Sequence, residues 1–183
     1  MAMGKLVIIS GPSGSGKTTV CRLLTKDPHI RKSISVTTRP PRYNEKNGEA
    51  YHFVSKQEFE EMIRKDELAE HAEYCGCSYG TPIKALKEAI ASEGFYLLEI
   101  EVQGALQIME KFPETISIFL LPPDKKTLSQ RLVQRNTNRE QDMELRLKIA
   151  DKELEYKDRY NHCVVNDDLA VTATTIRKIL NLT

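Results

Sequence analysis

The chain has 183 residues, with 27 Lys and Arg against 26 Asp and Glu and a formal net charge of +1 at pH 7. That length suits one α/β domain with room for an insertion, and the balanced charge speaks against a nucleic-acid binder and offers no charged tail to a protein partner. No apolar run reaches membrane-spanning length and no secretory leader opens the chain, so the expectation is a soluble cytoplasmic protein with no obligatory protein partner. Cys21, Cys75, Cys77 and Cys163 lack zinc-ligand spacing and read as reduced thiols, and His29, His52, His71 and His162 are too scattered to suggest catalysis.

The first element is a short apolar strand, residues 5–10. It leads directly into Gly11-Pro12-Ser13-Gly14-Ser15-Gly16-Lys17-Thr18, which fits the phosphate loop G-x-x-x-x-G-K-[ST] at every fixed position. Glycines let successive backbone N–H groups face an anion, and the helix that starts near Lys17 adds the positive end of its dipole. Lys17 supplies a full charge for the β and γ phosphates. The Thr18 hydroxyl, with Thr19 beside it, is placed to ligate Mg²⁺. A Gly-rich turn with no ligand is the competing reading, but the strand before and the amphipathic helix after favour a nucleoside triphosphate site.

The stretch from about 34 to 92 breaks the strand–helix rhythm. Turns at Pro40-Pro41 and Asn47-Gly48 separate Thr-, Tyr- and Val-containing segments, and a helix is predicted around Lys56–Arg64. This reads as a β-rich insertion into a core at about 1–33 and 93–183, placed to bring a second substrate to the loop. Arg39 and Arg42, joined through Pro-Pro, make a clamp for a phosphate dianion, with Tyr51 and Tyr79 as further donors. Taken singly, each of these residues reads better as part of a solvated basic turn with two half-buried tyrosines.

The core resumes with an apolar run at 95–100. Glu99 and Glu101, two apart at its end, are expected to point the same way, toward Mg²⁺ through water or toward the second substrate. Further strands are expected at 116–121 and 163–165. Helices are expected over Ala105–Phe112, from about Glu140 to Tyr156, and near Ala170–Leu180, from apolar residues at helical spacing. Alternating strands and helices imply a parallel sheet covered on both faces. Asn166-Asp167-Asp168 reads as a turn and cap before the last helix.

These motifs together resemble the guanylate kinase family. The resemblance runs through the phosphate loop, Thr37-Thr38-Arg39 with Arg42, Gly48 with Tyr51 and Phe53, Tyr79-Gly80-Thr81, Val102-Gln103-Gly104, the Arg135 to Arg146 region and Val165-Asn166-Asp167. It implies a P-loop α/β fold with a monophosphate-binding insertion and a helical lid at about 124–150. It implies Mg²⁺-dependent transfer from ATP to GMP, or dGMP, with no nucleic acid or membrane partner. Under it, Arg39, Arg42, Tyr51 and Tyr79 hold the GMP phosphate. Ser35, Glu70 and Thr81 read guanine, Glu101 contacts substrate, and Thr18 and Glu99 serve the metal. Arg135 and Arg146 close over the transferring group, Asn166 lies near adenine, and Arg131 and Arg139 read as ordinary surface charges. Guanine chemistry agrees, since its N1–H and N2–H₂ suit the Glu70 carboxylate and its O6 suits a hydroxyl. Asn136 departs from the glycine common after the first lid arginine, which bears on lid motion. The alternatives are a kinase for another nucleoside monophosphate, a phosphopeptide-binding module of the same fold, which typically carries a degraded loop, and a motor ATPase, which gives no reason for the clamp.

Overall fold

The computed structural model describes residues 3–134 and 140–182. The first strand, β1 (Lys5–Ser10), runs into helix α1 (Lys17–Leu24) and then strand β2 (Ile30–Lys32). A second group follows: β3 (Val36–Thr37), β4 (His52–Phe53), α2 (Lys56–Arg64), β5 (Leu68–Tyr74) and β6 (Cys77–Pro82). The chain then returns through α3 (Ile83–Ile90), β7 (Phe95–Glu99), α4 (Val102–Lys111), β8 (Ile116–Leu121), α5 (Lys125–Gln134), α6 (Glu140–Leu154), β9 (His162–Val165) and α7 (Leu169–Ile179).

The core is a five-stranded parallel sheet in the order β2-β7-β1-β8-β9. A parallel strand between two helical layers is buried on both faces, which is why β1 is apolar without alternation. Val7 and Ile9 pack with Val20, Leu24 and Ile176 of α1 and α7, while Leu6 and Ile8 pack with Leu86, Ala105 and Ile108 of α3 and α4. The chain leaves β1 toward β7 and β2 on one side and later crosses to β8 and β9 on the other. The crevice beyond the carboxyl end of β1 is therefore the switch point where such sheets bind ligands.

The second sheet, ordered β4-β3-β6-β5, is mixed, with β3–β4 parallel and the β6 pairings antiparallel. Helix α2 covers one face with Phe59, against Val36 and Leu68. Its start is fixed by a capping box: the Glu58 N–H donates to Ser55 Oγ at 3.2 Å and the Ser55 N–H donates to Glu58 Oε2 at 2.7 Å. The edge strand β5 is tied to the core by α4. Gln107 exchanges hydrogen bonds with the His71 backbone at 2.8 and 3.2 Å, and Lys111 donates to the Ala69 carbonyl at 2.6 Å.

Two elements differ from the sequence expectation. β2 is a three-residue edge strand with only Ile30 buried, too short to register as an apolar run. α3 lies inside the 34–92 stretch, yet Leu86 and Ala89 belong to the core of the parallel sheet. Among the described residues, no helix is long and apolar enough to cross a membrane, and all four cysteines are free.

Candidate active site

The loop after β1 is held from outside as well as by its own glycines. Gly16 takes φ +97° immediately before α1, and a Cβ there would run into the Asn166 side-chain amide. That amide donates to the Ser15 carbonyl at 2.8 Å, and the Asn166 N–H donates to the Leu121 carbonyl at 2.8 Å. Asn166 thus fastens the loop to the ends of β8 and β9. Arg131 on α5 donates from both terminal nitrogens to the Asn166 carbonyl at 3.3 Å. It is a brace, not the ordinary surface charge that the sequence suggests.

Lys17 is buried and folded back on the loop. It donates to the carbonyls of Gly11 and Pro12 and meets Glu101 at 3.4 Å. The Thr18 hydroxyl donates to Glu99, whose other oxygen accepts from Lys32 at 2.6 Å. Burial pulls the Lys32 ammonium down, but the Glu99 carboxylate outweighs it and holds its pKa above the ordinary lysine value. Glu99 ends β7, whereas Glu101 occupies the position just before α4 in an extended conformation. Both still face the loop.

Across the crevice, side chains two apart on β5 and β6 share one face of the second sheet. Glu70 stands directly opposite Thr81 in the register, and Ala72 opposite Tyr79. Glu70 is only 3% exposed, and its Oε1 accepts from the Thr81 hydroxyl at 2.7 Å. Burial pushes its carboxyl up to about 7, against the opposing pull of Thr81 and of the Lys111 charge. Gly104 is what lets α4 pass behind this carboxylate, because a Cβ there would collide with both the carboxyl carbon and Oε2 of Glu70.

Arg39 and Arg42 lie at the other end of this sheet. Arg39 donates to both oxygens of Glu45 at 2.9 Å, and its guanidinium carbon stands 5.4 Å from the Tyr51 ring centre. Burial raises the phenols of Tyr51 and Tyr79 above the ordinary tyrosine value, so both keep their protons as donors at neutral pH.

These groups converge on one cavity of about 290 Å³. The loop contributes Ser13, Gly14, Gly16, Lys17 and Thr18, and the end of β7 contributes Glu99 with Glu101 beyond it. Ser35, Arg39, Arg42, Tyr51, Glu70 and Tyr79 line the opposite wall, and Arg146 of α6 reaches in from the side. A second cavity shares Gly14 and Gly16 and is otherwise lined by Thr19, Arg131, Asn166, Asp167 and Leu169. Gly11, Pro12, Ser15 and Thr81 line neither. Their part is to hold Lys17, Asn166 and Glu70 from behind. Arg135, Asn136 and Arg139 lie outside the described residues.

One buried carboxylate at the site has no signal in the sequence. Glu153, near the end of α6, is 8% exposed and lies beside the Ser13 N–H of the loop. Burial, with added repulsion from Glu101, pushes its carboxyl up to about 7. On a helix with charge on several faces, nothing local distinguishes it from its solvated neighbours.

An anion cradle therefore faces a buried carboxylate and a cationic clamp across a single cavity. The model of the guanylate kinase family matches residues 3–182. The chain belongs to the guanylate kinase family. The guanylate kinase of Desulfitobacterium hafniense (strain Y51) is 45% identical over 178 residues, covering 97% of this chain and 89% of that protein. That of Halalkalibacterium halodurans is 46% identical over 178 residues, covering 97% and 87%. The crystal structure of guanylate kinase from Anaplasma phagocytophilum superposes with a TM-score of 0.82 at 35% identity, over 99% of this chain and 86% of that one. A shikimate kinase from Bacteroides thetaiotaomicron, at TM-score 0.55 and 14% identity, shares the fold alone. As a guanylate kinase family member the chain is an enzyme, a nucleoside monophosphate kinase acting on small nucleotides.

Proposed function

We propose that the cavity transfers the γ-phosphoryl group of ATP to GMP, giving ADP and GDP, with each residue in the role assigned below. The observation that carries the reading is the meeting of Lys17 and the loop with Glu70, Arg39 and Arg42 around one space. Glu70 as a carboxylate accepts from guanine N1–H and N2–H₂. Adenine offers an unprotonated N1 there, an acceptor opposed to an acceptor, and a buried polar site of this kind can discriminate by up to ~10⁴-fold. Ser35 supplies a hydroxyl for O6, and Thr81 keeps Glu70 in place. Arg39, Arg42, Tyr51 and Tyr79 surround the acceptor phosphate with donors only.

The phosphate of a monoester has a second pKa near ~6 and needs no general base to become a nucleophile. One of its oxygens forms a bond to the γ phosphorus as the bond from that phosphorus to the β–γ bridging oxygen breaks, and ADP leaves. Two anions must be brought together, so the task is alignment and charge neutralisation. Lys17 exchanges the loop carbonyls and Glu101 for the triphosphate, freeing Glu101 to face the acceptor. Arg146 and Arg135 close over the transferring group, and closure excludes water. Asn166, Asp167, Thr19 and Arg131 form the adenine side of the donor site.

The residues present fit a magnesium ion. The Thr18 hydroxyl and a Glu99 oxygen already touch, offering hard oxygen donors beside the loop. Among the described residues there is no cluster of three or more metal-ligating side chains, which suits an ion held mainly by substrate phosphates and water, with Glu99 acting through water. When bound beside Thr18 and Glu99, Mg²⁺ would neutralise charge on the donor phosphates.

Phosphorus NMR of a mixture of ATP, GMP and Mg²⁺ tests the assignment. Equimolar ADP and GDP are expected to appear, and Lys17→Ala is expected to abolish turnover while GMP binding persists. Near-normal transfer by that variant would remove the loop from its assigned role.

A further inference from the structure

We propose that Glu45 is a positioning residue that presets Arg39 for the acceptor phosphate by gripping its guanidinium from the side away from the cavity. The inference rests on the function proposed above and adds a residue to it. Glu45 sits in the connection between β3 and β4, and both of its oxygens accept from Arg39 Nη2 at 2.9 Å. Oε2 also accepts from the Arg42 backbone N–H at 2.8 Å, which fixes the carboxylate relative to both arginines. The pair is largely withdrawn from water, with side chains 15% and 18% exposed. Arg39 and Arg42 line the cavity and Glu45 does not. The carboxylate is thus a support behind the clamp and does not occupy the place of the phosphate.

The remaining contacts of Arg39 agree with this. Nη1 donates to the Pro40 carbonyl at 2.8 Å, and the guanidinium lies 5.4 and 5.8 Å from the ring centres of Tyr51 and Phe53. A guanidinium has five N–H donors, so some remain for a ligand after Glu45 and Pro40 are served. A free arginine side chain loses much rotamer freedom when it binds, and here Glu45 has already removed it. Glu45 stays ionised at neutral pH: burial pushes its carboxyl up, but the Arg42 N–H and the Arg39 guanidinium outweigh burial and hold it below the ordinary glutamate value.

Charge alone and positioning predict opposite outcomes. Removing a carboxylate beside a phosphate site should, by Coulomb attraction alone, tighten a dianion. The positioning role predicts weaker binding. In Glu45→Gln, GMP affinity is expected to fall about 10- to 30-fold, the scale set by arginine side-chain entropy. Affinity for guanosine, which has no phosphate, and the KM for ATP are expected to stay within about twofold. In an Arg39→Met background, adding Glu45→Gln is expected to cause no further loss, because the effect passes through Arg39. Unchanged or tighter GMP binding in the single variant would overturn the proposal. So would an equal loss of guanosine binding, which would mark a merely structural role, or full additivity with Arg39→Met. Failure of the unaltered protein to phosphorylate GMP would instead sink the proposed function.

Discussion

Replacing Glu70 by glutamine separates what this carboxylate does for the substrate from what it costs the fold. Glutamine keeps an oxygen for the Thr81 hydroxyl, which Glu70 accepts at 2.7 Å, so packing changes little. The carboxyl pKa is about 7 in the folded chain against 4.5 for an ordinary glutamate. Between those values the folded state holds a proton that the unfolded state has released, so stability falls as pH rises through this window. The difference amounts to at most about 3 kcal/mol above pH 7. Glu70→Gln is therefore expected to be more stable than the unaltered protein at pH 8, and about equally stable at pH 4. At roughly 2–4 °C per kcal/mol for a chain of this size, the gain at pH 8 is several degrees in Tm. Binding moves the other way. The amide turns a donor toward the guanine donors, and losing hydrogen bonds to a charged group costs about 1.5–3 kcal/mol each. KM for GMP should rise roughly 100-fold while that for ATP holds. In the unaltered protein KM for GMP should also climb as pH drops below about 7, because the protonated carboxyl presents a donor. Thermal denaturation across pH and steady-state kinetics read all of this. A variant that is less stable at pH 8 and keeps its GMP KM would refute the reasoning.

Two further outcomes follow from the supports around the site. Gly104→Ala places a methyl group against the Glu70 carboxylate and is expected to raise KM for GMP at least tenfold, with a stability loss of about 1–3 kcal/mol from overpacking; unaltered kinetics would mean that α4 can shift freely. Asn166→Ala strands the Ser15 carbonyl and is expected to cost about 1–3 kcal/mol and to raise KM for ATP more than KM for GMP, measurable by urea denaturation and initial rates.

The parts of the molecule legible in the sequence are those whose chemistry is local. The phosphate loop declares itself in eight consecutive residues, and its helix begins at Lys17 as the pattern requires. Helices α4, α6 and α7 and strands β1, β7, β8 and β9 follow from apolar spacing, with no end more than three residues from its expected place, and α2 runs over Lys56–Arg64 as expected. What escaped depends on contacts between distant positions. Glu70 by itself reads as an exposed charge; only the resemblance singled it out, and its burial comes from Gly104 and Thr81 on two other elements. Arg131 looks like one surface arginine among several until β9 brings the Asn166 carbonyl beside it. Glu153 and Glu45 are indistinguishable from solvated glutamates without knowing which loop amides and guanidinium they meet. Strand alternation puts Glu101 on the same face as Glu99, yet it reaches the loop from the turn into α4.

Offering GMP, AMP, CMP and UMP separately with ATP and Mg²⁺, and following ADP release, probes whether the buried carboxylate wall selects the acceptor that the phosphate loop serves. Turnover with GMP at a kcat/KM about a thousandfold or more above the other three is the predicted result. Comparable rates with AMP would contradict it, since the purine would then be read by something other than Glu70.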